Sequence, residues 1–150
     1  MKRTQIGIVA FIVVALLTYV GSSQAAGGFS ALTIRGTYGF SGSGTLGGGV
    51  FQAAVVGLNS FDGRGGCAIS ARINAFGMVT PVHSTSCTYT VNADGTGFLD
   101  VTLDDPLLAG PFHSDFVIVE NPNEIHSMLS DASGGTVATL ITKRQTPEGR

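Results

Sequence analysis

Tryptophan is absent from this chain, and charge is scarce: 12% of its residues are Asp, Glu, Lys or Arg. With Lys2 and Arg3 at the N-terminus set aside, there is no basic cluster beyond Lys143-Arg144, which argues against nucleic acid and anionic membrane surfaces as partners. The two cysteines form no Cys-x-x-Cys pair and have no histidine at ligand spacing, so no metal site is expected. Gly-x-Ser-x-Gly, the strained turn that presents a nucleophilic serine, is also missing. After residue 26 no segment holds a 3.6-residue apolar period over the length of a helix. Glycine, in contrast, is plentiful at 22 residues, and each one inside a helix would cost about 1 kcal/mol relative to alanine. Strands and turns are what such a composition favours.

The N-terminus has a different character. Lys2 and Arg3 precede a mostly apolar run, Ile6–Val20, and Ser23 and Ala25 place small residues at the −3 and −1 positions of a cleavage site. That is the layout of a secretory signal peptide spanning residues 1–25. An uncleaved anchor helix is the rival, although the run falls short of the roughly 20 apolar residues a bilayer span needs. No cysteine follows the run to carry a lipid. Removing Lys2 and Arg3 from the eight basic residues leaves six against ten acidic ones, a formal charge of −4 on Ala26–Arg150. That stretch is expected to be one domain, with a tail fraying from about residue 144. In an oxidising compartment Cys67 and Cys87, 20 positions apart, are expected to form a disulfide.

Within the domain, alternating apolar and polar runs meet Asp and Gly three times: VVGLNSFDGRGGC (Val55–Cys67), YTVNADGTGF (Tyr89–Phe98) and LSDASGGTV (Leu129–Val137). Asp-Gly supplies the positive φ that hairpin turns need. Strands are expected at Ile34–Ser41, Val50–Phe61, Cys67–Ala75, Thr85–Asn92, Gly97–Leu103, Phe112–Glu120, Ile125–Ser130 and Thr136–Lys143. Ser41–Gly49 and Phe76–Ser84 read as connections, the second because of Pro81. Eight strands with local connections suggest a closed antiparallel up-and-down barrel, since closure removes unpaired edges; a two-sheet sandwich is the alternative.

The series GTYGF (Gly36–Phe40), Val56-Gly57, FDGRG (Phe61–Gly65), YTVNADGTG (Tyr89–Gly97) and TKRQ (Thr142–Gln145) resembles small secreted bacterial proteins of unassigned function with lipocalin-like, calycin-type barrels. A looser likeness to allene oxide cyclase-type barrels rests on architecture alone. The resemblance implies a barrel fold and transfers no catalytic residue. Avidin-type barrels depend on tryptophan at their ligand box and do not fit.

Several motifs invite chemistry and lose it on context. Gly42–Gly47 matches GxGxxG, but only 14 residues separate it from Asp62, too few for a helix and a second strand. Asn92–Gly97 opens like a calcium loop, yet Leu103 stands where the twelfth-position Glu belongs. His113 and Asp115 share one strand face as an expected surface pair; His126 is expected to face solvent, and His83 to lie in a loop. Asn59 differs from all of these, because it is the polar member of an otherwise apolar face with Val55, Gly57 and Phe61. A buried amide needs partners; Tyr38, Tyr89, backbone, water or a ligand could supply them.

The expectation is therefore a secreted or periplasmic barrel, non-enzymatic and without a cofactor, that touches membrane only through its signal segment during export. It would bind a small, mostly apolar ligand in a lumen lined by Tyr38, Phe40, Asn59, Phe61, Tyr89 and Phe116. Two alternatives stand beside it. One is a cyclase- or isomerase-like enzyme using Arg35, Asp115 or His126 as an interior titratable group. The other is a purely structural or interaction module with a filled lumen.

Overall fold

Asp62 and Asp94 each close a hairpin with their own carboxylate. Asp62 Oδ1 accepts from the backbone N–H of Arg64 (2.6 Å) and Gly66 (2.9 Å), while Gly63 and Gly65 take φ of +82° and +105°. Asp94 Oδ1 accepts from the N–H (3.0 Å) and hydroxyl (2.7 Å) of Thr96. These bonds hold both carboxyls below the usual aspartate range. Asp94 is thus committed to its turn.

The structure, a computed structural model, describes residues 28–106, 108, 110–129 and 135–146. The expected signal segment, the centre of the third Asp/Gly turn and the last four residues lie outside the described residues.

Eight strands follow in order: β1 (Gly36–Leu46), β2 (Phe51–Phe61), β3 (Cys67–Ala75), β4 (Met78–Val91), β5 (Thr96–Leu103), β6 (Pro111–Glu120), β7 (Glu124–Leu129) and β8 (Val137–Arg144). Each pairs antiparallel with its neighbour in the chain, and β1 pairs with β8 to close the barrel. The domain is all-β and the up-and-down barrel holds; the sandwich does not. Inward parity follows the alternation read from the sequence: Tyr38 and Phe40 on β1, Asn59 and Phe61 on β2, Ala71 on β3, Val101 on β5 and Phe116 on β6 are buried.

Three expectations about strand limits need correction. Ser41–Leu46 is strand rather than loop. Gly42 and Gly44 lie so close to β8 that a Cβ would sit 2.4 Å from the Thr139 carbonyl oxygen and 2.0 Å from that of Val137. Glycine here permits close strand approach, not a flexible turn. Phe76–Ser84 is likewise strand from Met78 onward. Its first part, Met78–His83, pairs with β3, whereas the ladder to β5 begins only at Ser84. Pro81 therefore sits where one ladder, not two, would be broken. Finally, Ile34 belongs to a 3-10 turn, Ala31–Ile34, ahead of β1.

That 3-10 turn defines a closed end of the barrel. Ile34 is fully buried and packs with Tyr38, Phe61, Tyr89, Phe116, Ile118 and Ile125. The Asp62 and Asp94 turns are at this end, as is the β6–β7 turn. Cys67 and Cys87 are joined in a disulfide with Cα atoms 5.0 Å apart. The bond ties β3 to β4 beyond their continuous ladder, which spans only Ser70–Ala75 and Met78–His83. Nearby, the Ile69 N–H donates to Ser84 Oγ (2.9 Å), replacing a ladder bond with a side chain.

Candidate functional site

The interior divides along the barrel axis into a packed floor and a hollow column. In the floor, Phe61 meets Tyr38 and Tyr89 edge-on, at centroid distances of 5.5 and 4.9 Å. The Tyr38 hydroxyl donates to the Pro122 carbonyl (2.7 Å) and accepts from Arg144 Nη2 (2.8 Å), whose guanidinium lies 5.0 Å from the ring centroid. The Tyr89 hydroxyl donates to the Ala31 carbonyl (3.1 Å) and accepts from the Gly63 N–H (3.0 Å). Burial pushes both phenols above the usual tyrosine range, partly offset at Tyr38 by Arg144. Each hydroxyl clamps a backbone segment to the barrel, so neither reaches Asn59.

Above the floor a deep chamber of about 100 Å³ is lined by Asn59, Ser114, Phe116, Ser127 and Thr142 among apolar neighbours. It leads to a middle chamber of about 140 Å³ walled by residues such as Val55, Ala71, Ile73, Val82 and Leu103. Phe40, Ile69, Val101, Leu129 and Leu140 line both chambers and form the neck between them. The column widens to a mouth of about 460 Å³ at the opposite end from the floor, bordered by Leu46, Phe76, Met78, Leu108 and Phe112. Ala53, a small residue on β2, lines the middle chamber. None of the described residues lining the two inner chambers is ionisable; Asp105 lies at the mouth.

Asn59 is 6% exposed, and its Oδ1 has no hydrogen-bond partner. Of the six side chains expected to line the lumen, Phe40, Asn59, Phe61 and Phe116 border the deep chamber, while Tyr38 and Tyr89 are built into the floor. Ser114, Ser127 and Thr142 escaped the sequence reading. Their signal is the one that marked Asn59, a polar residue on an inward apolar parity. Ser114 sits two before Phe116, Ser127 two after Ile125, and Thr142 two after Leu140. Ser114 Oγ donates to the Met128 carbonyl (3.1 Å), which leaves the oxygen its capacity to accept.

The ionisable candidates all point outward. Arg35, Asp115 and His126 are exposed. His113 bonds Asp100 (2.6 Å) rather than the expected Asp115, which is 3.8 Å away. The reason is register: His113 and Asp100 are direct cross-strand partners between β6 and β5. His83 lies on β4, not in a loop, and pairs with Asp104 (3.2 Å). Glu124 bridges His126 (2.6 Å) and Lys143 (2.9 Å). Among the described residues no group of three His, Cys, Asp or Glu side chains is arranged to hold a metal ion.

No protein-family model matches the chain, and no curated protein matches it. Solved structures similar to it include a de novo designed fluorescence-activating β-barrel, with 14% identity and a TM-score of 0.54 over 77% of this chain and 96% of that one. A redesigned β-barrel, mFAP1, bound to DFHBI, is similar with 18% identity and a TM-score of 0.52 over 76% and 97%. Identities this low establish the fold alone: a closed, eight-stranded antiparallel barrel.

Proposed function

We propose that this chain is an exported, non-enzymatic binder of a small, mostly apolar molecule held in the barrel lumen. One observation carries the reading: an apolar column, open at one end, ends in a chamber lined by Asn59, whose buried amide oxygen has no partner. An unsatisfied buried acceptor costs about 1–3 kcal/mol. A protein whose lumen served only to fill space would lose nothing by carrying leucine there. An enzyme on the same barrel would need an ionisable group in the inner chambers, where none of the described lining residues supplies one. Phe40, Asn59, Phe61 and Phe116 are the proposed contacts, with Asn59 orienting a polar group.

Export is supported by the N-terminal pattern and by the disulfide, which persists in oxidising compartments. The outer face of the barrel carries Arg72, Asp115, His126 and Lys143 together with exposed apolar side chains such as Val56, Leu58, Val117 and Ile141. A barrel of this strand number has room for one small ligand, and the similar redesigned barrel is bound to DFHBI.

Native mass spectrometry of protein purified from its own periplasm or medium tests both parts. The expected result is a chain beginning at Ala26 with a small molecule bound. Ligand-free protein that also takes up none of a panel of neutral apolar probes would overturn the binding reading. A chain retaining residues 1–25 in a membrane fraction would overturn export.

A further inference from the structure

Lumen binding alone does not say what the ends of a ligand look like; the walls of the deep chamber do. Resting on the lumen-binding reading, we infer that the ligand is slender and uncharged and enters head first, presenting an O–H or N–H donor to Asn59 Oδ1 while its apolar tail lies toward the mouth.

Three observations converge on that head group. Asn59 is more than nine-tenths buried and lines the deep chamber, and its Oδ1 is buried without a partner. An acceptor in that state is answered by a donor, and an ether, alkane or halide end would leave it unanswered. Charge is excluded by the same walls. None of the described residues lining either inner chamber is ionisable, so a carboxylate or ammonium would be buried there without a counter-charge from them. Ser114, Ser127 and Thr142 come from β6, β7 and β8, whereas Asn59 comes from β2. Their hydroxyls offer a small neutral head group a second polar contact, which a hydroxyl or primary amide can use because it both donates and accepts.

The chambers also set the shape. The middle chamber, about 140 Å³, is close to the size of an apolar protein cavity, about 150 Å³, that accepts one benzene. The deep chamber is smaller, about 100 Å³, so fused rings do not fit at the head. From Asn59 to Ala53, which lines the middle chamber, strand rise and barrel tilt give an axial length of roughly 15 Å. A single chain, or one ring on a chain, matches that space.

The test is a matched series titrated by calorimetry into the mature, delipidated protein at neutral pH: 1-octanol, methyl heptyl ether of the same heavy-atom count, octanoate and octylammonium. The alcohol is expected to bind about tenfold tighter than the ether, the size of one buried hydrogen bond, with both ions weaker than the ether. In Asn59→Leu the alcohol-to-ether ratio should fall to about one while ether binding is kept. Asn59→Ala, which removes atoms without crowding the chamber, serves if the leucine variant does not fold. Equal binding of alcohol and ether, or tighter binding of octanoate or octylammonium, overturns the head-group inference and leaves lumen binding standing. If none of the four binds and a neutral apolar fluorescent probe is not taken up either, lumen binding itself has failed and the inference with it.

Discussion

Asn59→Leu should make the ligand-free protein more stable. The buried Oδ1 without a partner costs about 1–3 kcal/mol, and leucine removes that cost. Leucine has the same four side-chain heavy atoms but is bulkier, and overpacking a filled core costs about 1–3 kcal/mol; here the adjoining chamber of about 100 Å³ receives the extra volume. The net expectation is a gain of about 1–2 kcal/mol. For a domain of this size each kcal/mol corresponds to roughly 3–6 °C in Tm. Urea unfolding of delipidated protein, followed by far-ultraviolet circular dichroism and tyrosine fluorescence, measures it; ligand must be stripped first because binding stabilises the folded state by mass action. An unchanged m-value with a higher midpoint is the expected pattern. A loss of 1 kcal/mol or more at unchanged m would refute the reasoning, since Asn59 would then be satisfied in the free protein. A stabilised variant that binds less selectively would place Asn59 among residues retained for function against stability.

Replacing both Cys67 and Cys87 by serine should cost about 3 kcal/mol on the chain-entropy estimate for a loop of this length; equal urea midpoints would show that the bridge contributes nothing. Ile34→Ala, at a fully buried position under the floor aromatics, should cost about 2–5 kcal/mol, read by the same unfolding curves, and a cost below 1 kcal/mol would mean the 3-10 turn does not close the barrel in solution. Tyr38 and Tyr89 are the only tyrosines after residue 25, and burial raises both phenols. With folded pKa values above the unfolded value of about 10, the stability they contribute is fully present below that pH and is lost as pH rises through the folded values. Tyrosinate absorbance and circular dichroism should therefore change together in alkali; tyrosinate formed near pH 10 with the dichroism intact would contradict the clamped floor.

The alternation of Cys67, Ile69, Ala71 and Ile73 against Ser70, Arg72 and Asn74 was enough to define β3, because side chains on a half-buried strand repeat every second residue. The Asp62 and Asp94 turns were legible for a similarly local reason, since each carboxylate bonds N–H groups within four residues of itself. Where a residue answers to distant neighbours, local reading misleads. Pro81 looked like a strand breaker, yet it occupies the part of β4 with a single partner strand. Gly42 and Gly44 looked like a loop, yet they let β1 lie against β8, a strand nearly 100 residues later in the chain.

The site follows the same division. Sequence alone identified Asn59 as a polar residue on an apolar face and named most of the aromatics inside, since parity along one strand decides facing. What the tertiary structure decided is depth. Tyr38 lies two residues before Phe40, but the 3-10 turn and Arg144 fix it in the floor, while Phe40 borders the hollow column. Barrel closure also brings Ser114, Ser127 and Thr142 from three late strands to the chamber that Asn59 enters from β2. Strand periodicity determines which side of a sheet a residue faces, whereas its height along the barrel and its companions across the lumen depend on register and closure, which are relations between strands.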